Sequence, residues 1–157
     1  MQKINWNKFW DSKATEDFIA SSGKTSSRKE DFFLYIFYII KNLKGLNRED
    51  IVLDVGAGAG YLSYCISPLV KKLYSFDFSK KLLIKSKLLN KNRKNIEIYH
   101  DNILFMNETF RKKKVFNKII VGSVLQYLKN YDEIEKVFQN LNNISSTKSL
   151  ILFTHNP

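Results

Sequence analysis

The stretch "VLDVGAGAGYLS", Val52 to Ser63, carries the reading of the fold. An apolar run ends in an acid, three glycines follow at every second position, and an apolar helix start comes next. The run is short and rich in branched residues, which marks a buried strand rather than a helix. Gly56 is expected to take a positive φ at the strand exit. Gly58, without a side chain, would let a ligand lie on the backbone, and Gly60 would let the next helix begin close to the sheet. Exposed N–H groups and a helix N-terminus at such a turn favour an anionic group.

Outward from this turn the chain alternates. "IVLDV" reads as the first strand and "YLSYCIS" as a helix ended by Pro68. "KLYSFDFS" is a second strand ending in an acid, after which Ser79 is placed to cap the helix "KKLLIKSKLLNK". "IEIYHD", "FNKIIVGS" and "SLILFT" supply three more strands. In "YDEIEKVFQNLNNIS", residues Ile134, Val137, Phe138, Leu141 and Ile144 share one helical face. Strands alternating with helices imply parallel βαβ units with right-handed crossovers, hence an α/β, doubly wound, mostly parallel sheet.

The part before Gly45 reads as helical. "SRKE", Ser27 to Glu30, has the form of a capping box, and Gly45 that of a C-cap. The apolar run "FFLYIFYII", Phe32 to Ile40, is flanked by charge and far short of the roughly 20 residues a spanning helix needs. It is expected to be a buried helix. The organisation expected is one domain, with residues 1–48 as a helical cap and 49–157 as the α/β core.

With 157 residues, 44% of them hydrophobic, the chain can build a core, so disorder is not the expectation. "MQKINWNKFWDSK" has no apolar signal-peptide region, and a single cysteine, Cys65, excludes an internal disulfide. No Cys/His cluster argues for a metal. These features point to the cytoplasm and to no membrane partner. A net charge of +11 raises the question of a nucleic-acid partner. The lysines are scattered, though, apart from "RKKK" at 111–114, and no basic stripe interleaves with aromatics. Cys65 falls among apolar residues on a helix and is expected to be packed and inert.

The glycine spacing separates ligand classes. A dinucleotide loop reads G-x-G-x-x-G and a phosphate loop ends in G-K-[ST]; this loop reads D-x-G-x-G-x-G. "LDVGAGAG" resembles motif I of the class I S-adenosylmethionine-dependent methyltransferases, with a Rossmann-like fold. Further landmarks of that family fall in order: Asp77 at the end of the second strand, Asp101 in "YHDNI" after the third, and "GSVLQYL" after the fourth. The resemblance covers about residues 51–154 and implies S-adenosyl-L-methionine as cofactor.

It also implies roles. Asp54 would anchor the loop and approach the methionine ammonium. Gly56, Ala57 and Gly58 would lie against the methionine part, and Gly60 would seat the helix. Asp77 would bind the ribose hydroxyls with Phe78 against the adenine, while Asp101 and Asn102 would flank the base. Ser123 would offer backbone contacts near the sulfonium. Lys24 and Arg28 are candidates for the methionine carboxylate. Trp6, Phe9 and Trp10 recur at helical spacing and are expected to pack on the sheet face; a lid over the cofactor, as in many small-molecule members of the family, is the alternative.

Methyl transfer from a sulfonium is an in-line displacement in which positioning does much of the work. A base is needed mainly for hydroxyl acceptors. The catalytic candidates are His155, Gln126 and Tyr127; His100 is expected to pack or face solvent. The family sheet has seven strands, and the last two are missing after "FTHNP". A truncated or split chain, a fifth-strand edge paired with another chain such as a homodimer partner, and a minimal cofactor-binding module each fit that departure. The expected function is methylation, at O or N, of a small-molecule acceptor. An RNA methyltransferase and a non-catalytic cofactor-binding module are the alternatives; a nicotinamide-dependent oxidoreductase is opposed by the glycine spacing.

Overall fold

The structure is a computed structural model that describes residues 5–15, 21, 29–106, 110 and 115–154. Lys24, Ser27, Arg28, the "RKKK" run and His155 lie outside the described residues, and so do the expectations attached to them.

The elements run α1 (Trp6–Lys13), α2 (Lys29–Asn42), β1 (Ile51–Val55), α3 (Tyr61–Ile66), β2 (Lys72–Asp77), α4 (Lys80–Leu89), β3 (Ile96–His100), β4 (Phe116–Gly122), α5 (Tyr131–Ile144) and β5 (Ser145–Thr154). The five strands form one sheet in the order β3-β2-β1-β4-β5, every neighbour parallel. The chain winds outward from β1 to β3, then returns to the other side of β1 with β4. The order therefore reverses between β1 and β4, where open α/β sheets bind ligands beyond the strand ends.

Alternation along the strands divides the core in two. Leu53, Val55, Ile119 and Val121 point to one face and pack with Val137, Leu141 and Ile144 of α5. Val52, Leu73 and Ile120 point to the other and pack with α3 and with Phe32, Ile36 and Ile39 of α2. Each such fully buried side chain stabilises by roughly 1.5–3 kcal/mol.

Local chemistry sets the ends. Ser79 caps α4 by accepting from Leu82 N–H at 3.3 Å. Gly45 ends the α2 region at φ +83°, its N–H donating to the Ile40 carbonyl at 2.9 Å. Asn130 caps α5 through Glu133 N–H at 3.0 Å.

Two expectations change. Phe138 does not share the buried face of α5; it is 46% exposed and rests its ring on Phe153 of β5, 5.1 Å between centroids. Asn140 takes a buried place instead, donating to the Ile103 carbonyl at 2.6 Å. The second change is α2. Only one stripe of this apolar helix is buried, and Phe33, Leu34, Phe37 and Tyr38 face outward. No helix among the described residues is long and apolar enough to cross a membrane.

Candidate functional site

A cavity of about 1080 Å³ opens at the carboxyl ends of β1, β2 and β4. The turn after β1 forms its floor. Gly56, Gly58 and Gly60 all have positive φ, at 73°, 55° and 78°. A Cβ on Gly56 would stand 2.6 Å from Val124 Cγ2, so the absent side chain keeps the β1 and β4 turns in contact.

Gly60 has a different reason from the one expected. A Cβ there would meet Ser86 Oγ at 2.1 Å and Asn90 Nδ2 at 2.9 Å, so its bareness seats α3 against α4 rather than against the sheet. Asn90 also donates to the Gly60 carbonyl at 3.2 Å. Gly60 does not line the cavity; Gly56, Ala57 and Gly58 do.

The loop is no anion cradle either, contrary to expectation. Gly56 N–H and Ala57 N–H both donate to the Phe76 carbonyl at 3.0 Å, and Gly60 N–H donates to the Ala57 carbonyl at 2.9 Å. Gly58 N–H donates to Asp77 Oδ2 at 2.9 Å. Four donors that would face a phosphate are thus engaged within the protein, and α3 has only six residues of dipole behind it.

Instead the cavity is acidic. Asp54 and Asp77, at the ends of β1 and β2, both line it and both are buried. Asp54 accepts from Ser63 Oγ at 2.7 Å. Burial pushes its carboxyl up to about 6; the Ser63 hydrogen bond opposes this and the neighbouring Asp77 charge adds to it. Burial also raises Asp77, against hydrogen bonds from the Ser79, Gly58 and Phe78 backbone and the nearby His100. Asp77 Oδ1 accepts from Ser79 N–H at 2.8 Å. Each carboxylate oxygen has two lone pairs, so Asp77 keeps acceptor capacity after these bonds. Two buried carboxylates in one cavity favour a ligand carrying positive charge and hydroxyl donors.

The remaining expected residues gather around this pair. Phe78, Asp101, Asn102 and Ser123 all line the cavity. Asp101 and Asn102 also build the turn after β3: Asp101 Oδ1 accepts from Asn102 N–H at 2.7 Å, and Asn102 Oδ1 from Leu104 N–H at 2.9 Å. Ser123 is held at φ +53°, its N–H donating to the Thr154 carbonyl at 2.8 Å. A non-glycine residue in that region stores strain, as residues at functional sites often do. Its N–H is therefore engaged.

Among the catalytic candidates, Tyr127 lines the cavity, and burial raises its hydroxyl. Gln126 does not line it; its side chain is exposed and donates to Tyr127 Oη at 2.7 Å. His100, expected to pack or face solvent, is exposed but at the cavity rim, its ring Nε2 3.0 Å from the Phe78 carbonyl. Cys65 is half-buried away from the cavity, and burial pushes its thiol up.

The N-terminal aromatics do not pack on the sheet face. Trp6 and Trp10 line the cavity and bracket Tyr127, with centroids 4.6 and 5.8 Å away. Phe9 meets both tryptophans in T-shaped contacts. Ser21 lies over the floor, its carbonyl 3.7 Å from where a Gly58 Cβ would be. Tyr35 of α2 also reaches the cavity and shares a 2.9 Å hydrogen bond with Thr154 at the end of β5. Sequence reasoning missed Ser21 and Tyr35, because neither belongs to a spacing pattern; only the tertiary fold brings them to the strand ends.

Comparison with known proteins follows the same line. A family model described as a methyltransferase domain matches residues 46–155. A ribosomal RNA small subunit methyltransferase A from Caldanaerobacter subterraneus is 38% identical over 65 residues, 41% of this chain and 24% of that protein. A probable ribosomal RNA small subunit methyltransferase A from Methanococcus aeolicus is 33% identical over 81 residues, 52% of this chain and 29% of its own length. The chain thus spans about a quarter of the length of these curated relatives. Among solved structures, the N-methyltransferase NodS from Bradyrhizobium japonicum, in complex with S-adenosyl-L-homocysteine, superposes with a TM-score of 0.78 at 15% identity. That match covers 96% of this chain and 72% of NodS. At that identity the likeness is one of fold.

Proposed function

The chain belongs to the methyltransferase-domain family, and from that membership we propose that it binds S-adenosyl-L-methionine at the β1–β4 switch point and methylates a small-molecule acceptor. The observation that carries the proposal is the pairing of Asp54 and Asp77 over a glycine loop whose four N–H donors are engaged internally. Such a floor disfavours a pyrophosphate and suits a ligand with an ammonium, a sulfonium and a ribose diol.

When bound, the cofactor supplies an activated methyl group on a cationic sulfur. Asp77 would hold the ribose hydroxyls, and Asp54 the ammonium end. Phe78, Asp101 and Asn102 would border the base, and Ser123 the transferring end. Tyr35, Tyr127, Trp6 and Trp10 would wall the acceptor side and exclude water, which strengthens the electrostatics of the two carboxylates. Their hydroxyl and indole groups orient an acceptor; Tyr127 is the candidate to move a proton, and a neutral amine would need little help.

A cavity of about 1080 Å³ reaches the top of the usual range for ligand pockets, roughly 300–1,000 Å³, leaving room for an acceptor beside the cofactor. The aromatic wall on α1 narrows access and favours a small acceptor, such as a sugar or another biosynthetic intermediate. The second reading, an RNA acceptor, is favoured by the ribosomal RNA methyltransferases among the relatives and by the net charge of +11.

The test is turnover with labelled S-adenosylmethionine against a panel of small amines and hydroxyls and against ribosomal RNA. Label on a small acceptor supports the proposal. Label on RNA, with affinity falling steeply as salt rises, replaces it with the second reading. Cofactor binding without label on any acceptor leaves a non-catalytic binding module.

A further inference from the structure

The cofactor site leaves the outer face of α2 unexplained. A helix that is apolar all round is normally enclosed on all sides. Phe32, Ile36 and Ile39 of α2, continued by Leu43, form the stripe that packs on the sheet. The opposite stripe is solvent-facing: Phe33 is 60% exposed, Leu34 68%, Phe37 65% and Tyr38 50%. Four large apolar side chains on one short helix are more than the scattered surface hydrophobics of an ordinary monomer.

The charges on this stripe are ordered. Glu30 in the first turn and Lys41 in the last are both exposed, and they fall on the same helical line as Leu34 and Phe37. They stand eleven positions apart, about 16 Å along the axis, too far to pair within the helix.

The pattern reads the same in both directions. Its centre lies between Tyr35 and Ile36. When a second α2 is laid antiparallel across that centre, Glu30 stands level with Lys41 of the other copy. Leu34 stands level with its Phe37, and Phe33 with its Tyr38. Apolar residues meet apolar residues in the middle, and opposite charges meet at both ends. This is the self-complementarity that a two-fold interface demands.

We propose that two copies of this chain associate through antiparallel packing of α2 against α2. The 8–10 Å spacing of packed helices brings the central side chains into contact and the terminal charges within reach of each other. Among the described residues β5 is the outermost strand, and its outer edge is the weaker candidate. Ser146, Thr147, Lys148 and Ser149 occupy its first half, and an edge lysine is a common guard against strand pairing. The interface uses the exposed stripe of α2, whereas Phe32 and Tyr35 of the same helix line the cavity, so cofactor binding is read separately from association.

The test is sedimentation equilibrium on the full chain and on Glu30→Lys, Lys41→Glu and the double exchange, with circular dichroism and cofactor binding as controls for folding. Each single reversal sets like charges together at both ends and is expected to raise the dimer dissociation constant by at least about tenfold. The double exchange restores opposite pairs and is expected to return it to the parent value. A parent chain that stays monomeric overturns the proposal. So does a dimer indifferent to all three variants, since that dimer uses another surface.

Discussion

Asp11 Oδ1 accepts a hydrogen bond from Ser79 Oγ at 2.6 Å, joining the N-terminal helix to the start of α4. Ser79 at the same time caps α4 and gives its N–H to Asp77. One serine thus connects the cavity roof, a helix end and a site carboxylate. Helix α1 buries no residue completely; this bond, the tilted and edge contacts of Trp6 and Trp10 with Tyr127, and the hydrogen bond from Ser21 Oγ to the Lys13 carbonyl attach it. Asp11→Ala is expected to loosen the roof without unfolding the core. The two tryptophans of the chain both lie on α1, so intrinsic fluorescence reads the roof directly. The variant should emit further to the red and bind S-adenosylhomocysteine several-fold more weakly. Unchanged emission would show that Asp11 does not hold the roof.

Asp54 makes the ligand-free protein sensitive to pH. Its folded carboxyl titrates at about 6, above its ordinary value near 3.8, because burial disfavours the charge. A raised folded value means that the folded state holds the proton longer than the unfolded state. Its contribution to stability is therefore complete below about 3.8 and lost as pH rises through about 6, at a cost of order 3 kcal/mol. Asp54→Asn should be more stable than the parent at pH 7 and lose this slope, as read from urea unfolding at several pH values. The same charge attracts the ligand's ammonium group, so parent affinity for S-adenosylhomocysteine should rise between pH 5 and 7 while that of the variant stays flat and weak.

Gly60 and Gly45 separate strain from collision. Both have positive φ, but a Cβ on Gly45 meets nothing within 4 Å, whereas one on Gly60 overlaps Ser86. Gly45→Ala should cost about 1 kcal/mol, the backbone term alone. Gly60→Ala should cost roughly 2–4 kcal/mol, since α3 and α4 must also part. Equal losses in the two variants would mean that the α3–α4 contact is easily relaxed.

The strands, the helices that cover them and the acids at the ends of β1 and β2 were legible in the sequence because periodicity and glycine spacing are local properties. What the glycines accomplish was not. That Gly60 faces Ser86 and that Gly56 N–H and Ala57 N–H converge on the Phe76 carbonyl depend on β2 and α4 being in place. Helix α1 shows the same limit: the spacing of Trp6, Phe9 and Trp10 gives a helix with an aromatic face, but Tyr127 and Ser79 decide where that face lies. Phe138 falls at the edge of the face that a period of 3.6 predicts for α5, and the packed fold leaves it 46% exposed with its ring on Phe153.

The central claim is that Asp77 and the glycine loop form a cofactor site for an adenosyl sulfonium. Calorimetric titration of the purified chain with S-adenosylmethionine and S-adenosylhomocysteine, with NAD as control and Asp77→Asn alongside, tests it most directly. Loss of a hydrogen bond to a charged group is worth about 1.5–3 kcal/mol, so the variant should bind roughly 10- to 100-fold more weakly. The account predicts micromolar binding of both adenosyl ligands, weakened to that extent by the substitution, and no heat from NAD. Binding of NAD, or adenosyl binding that is indifferent to Asp77, would contradict it.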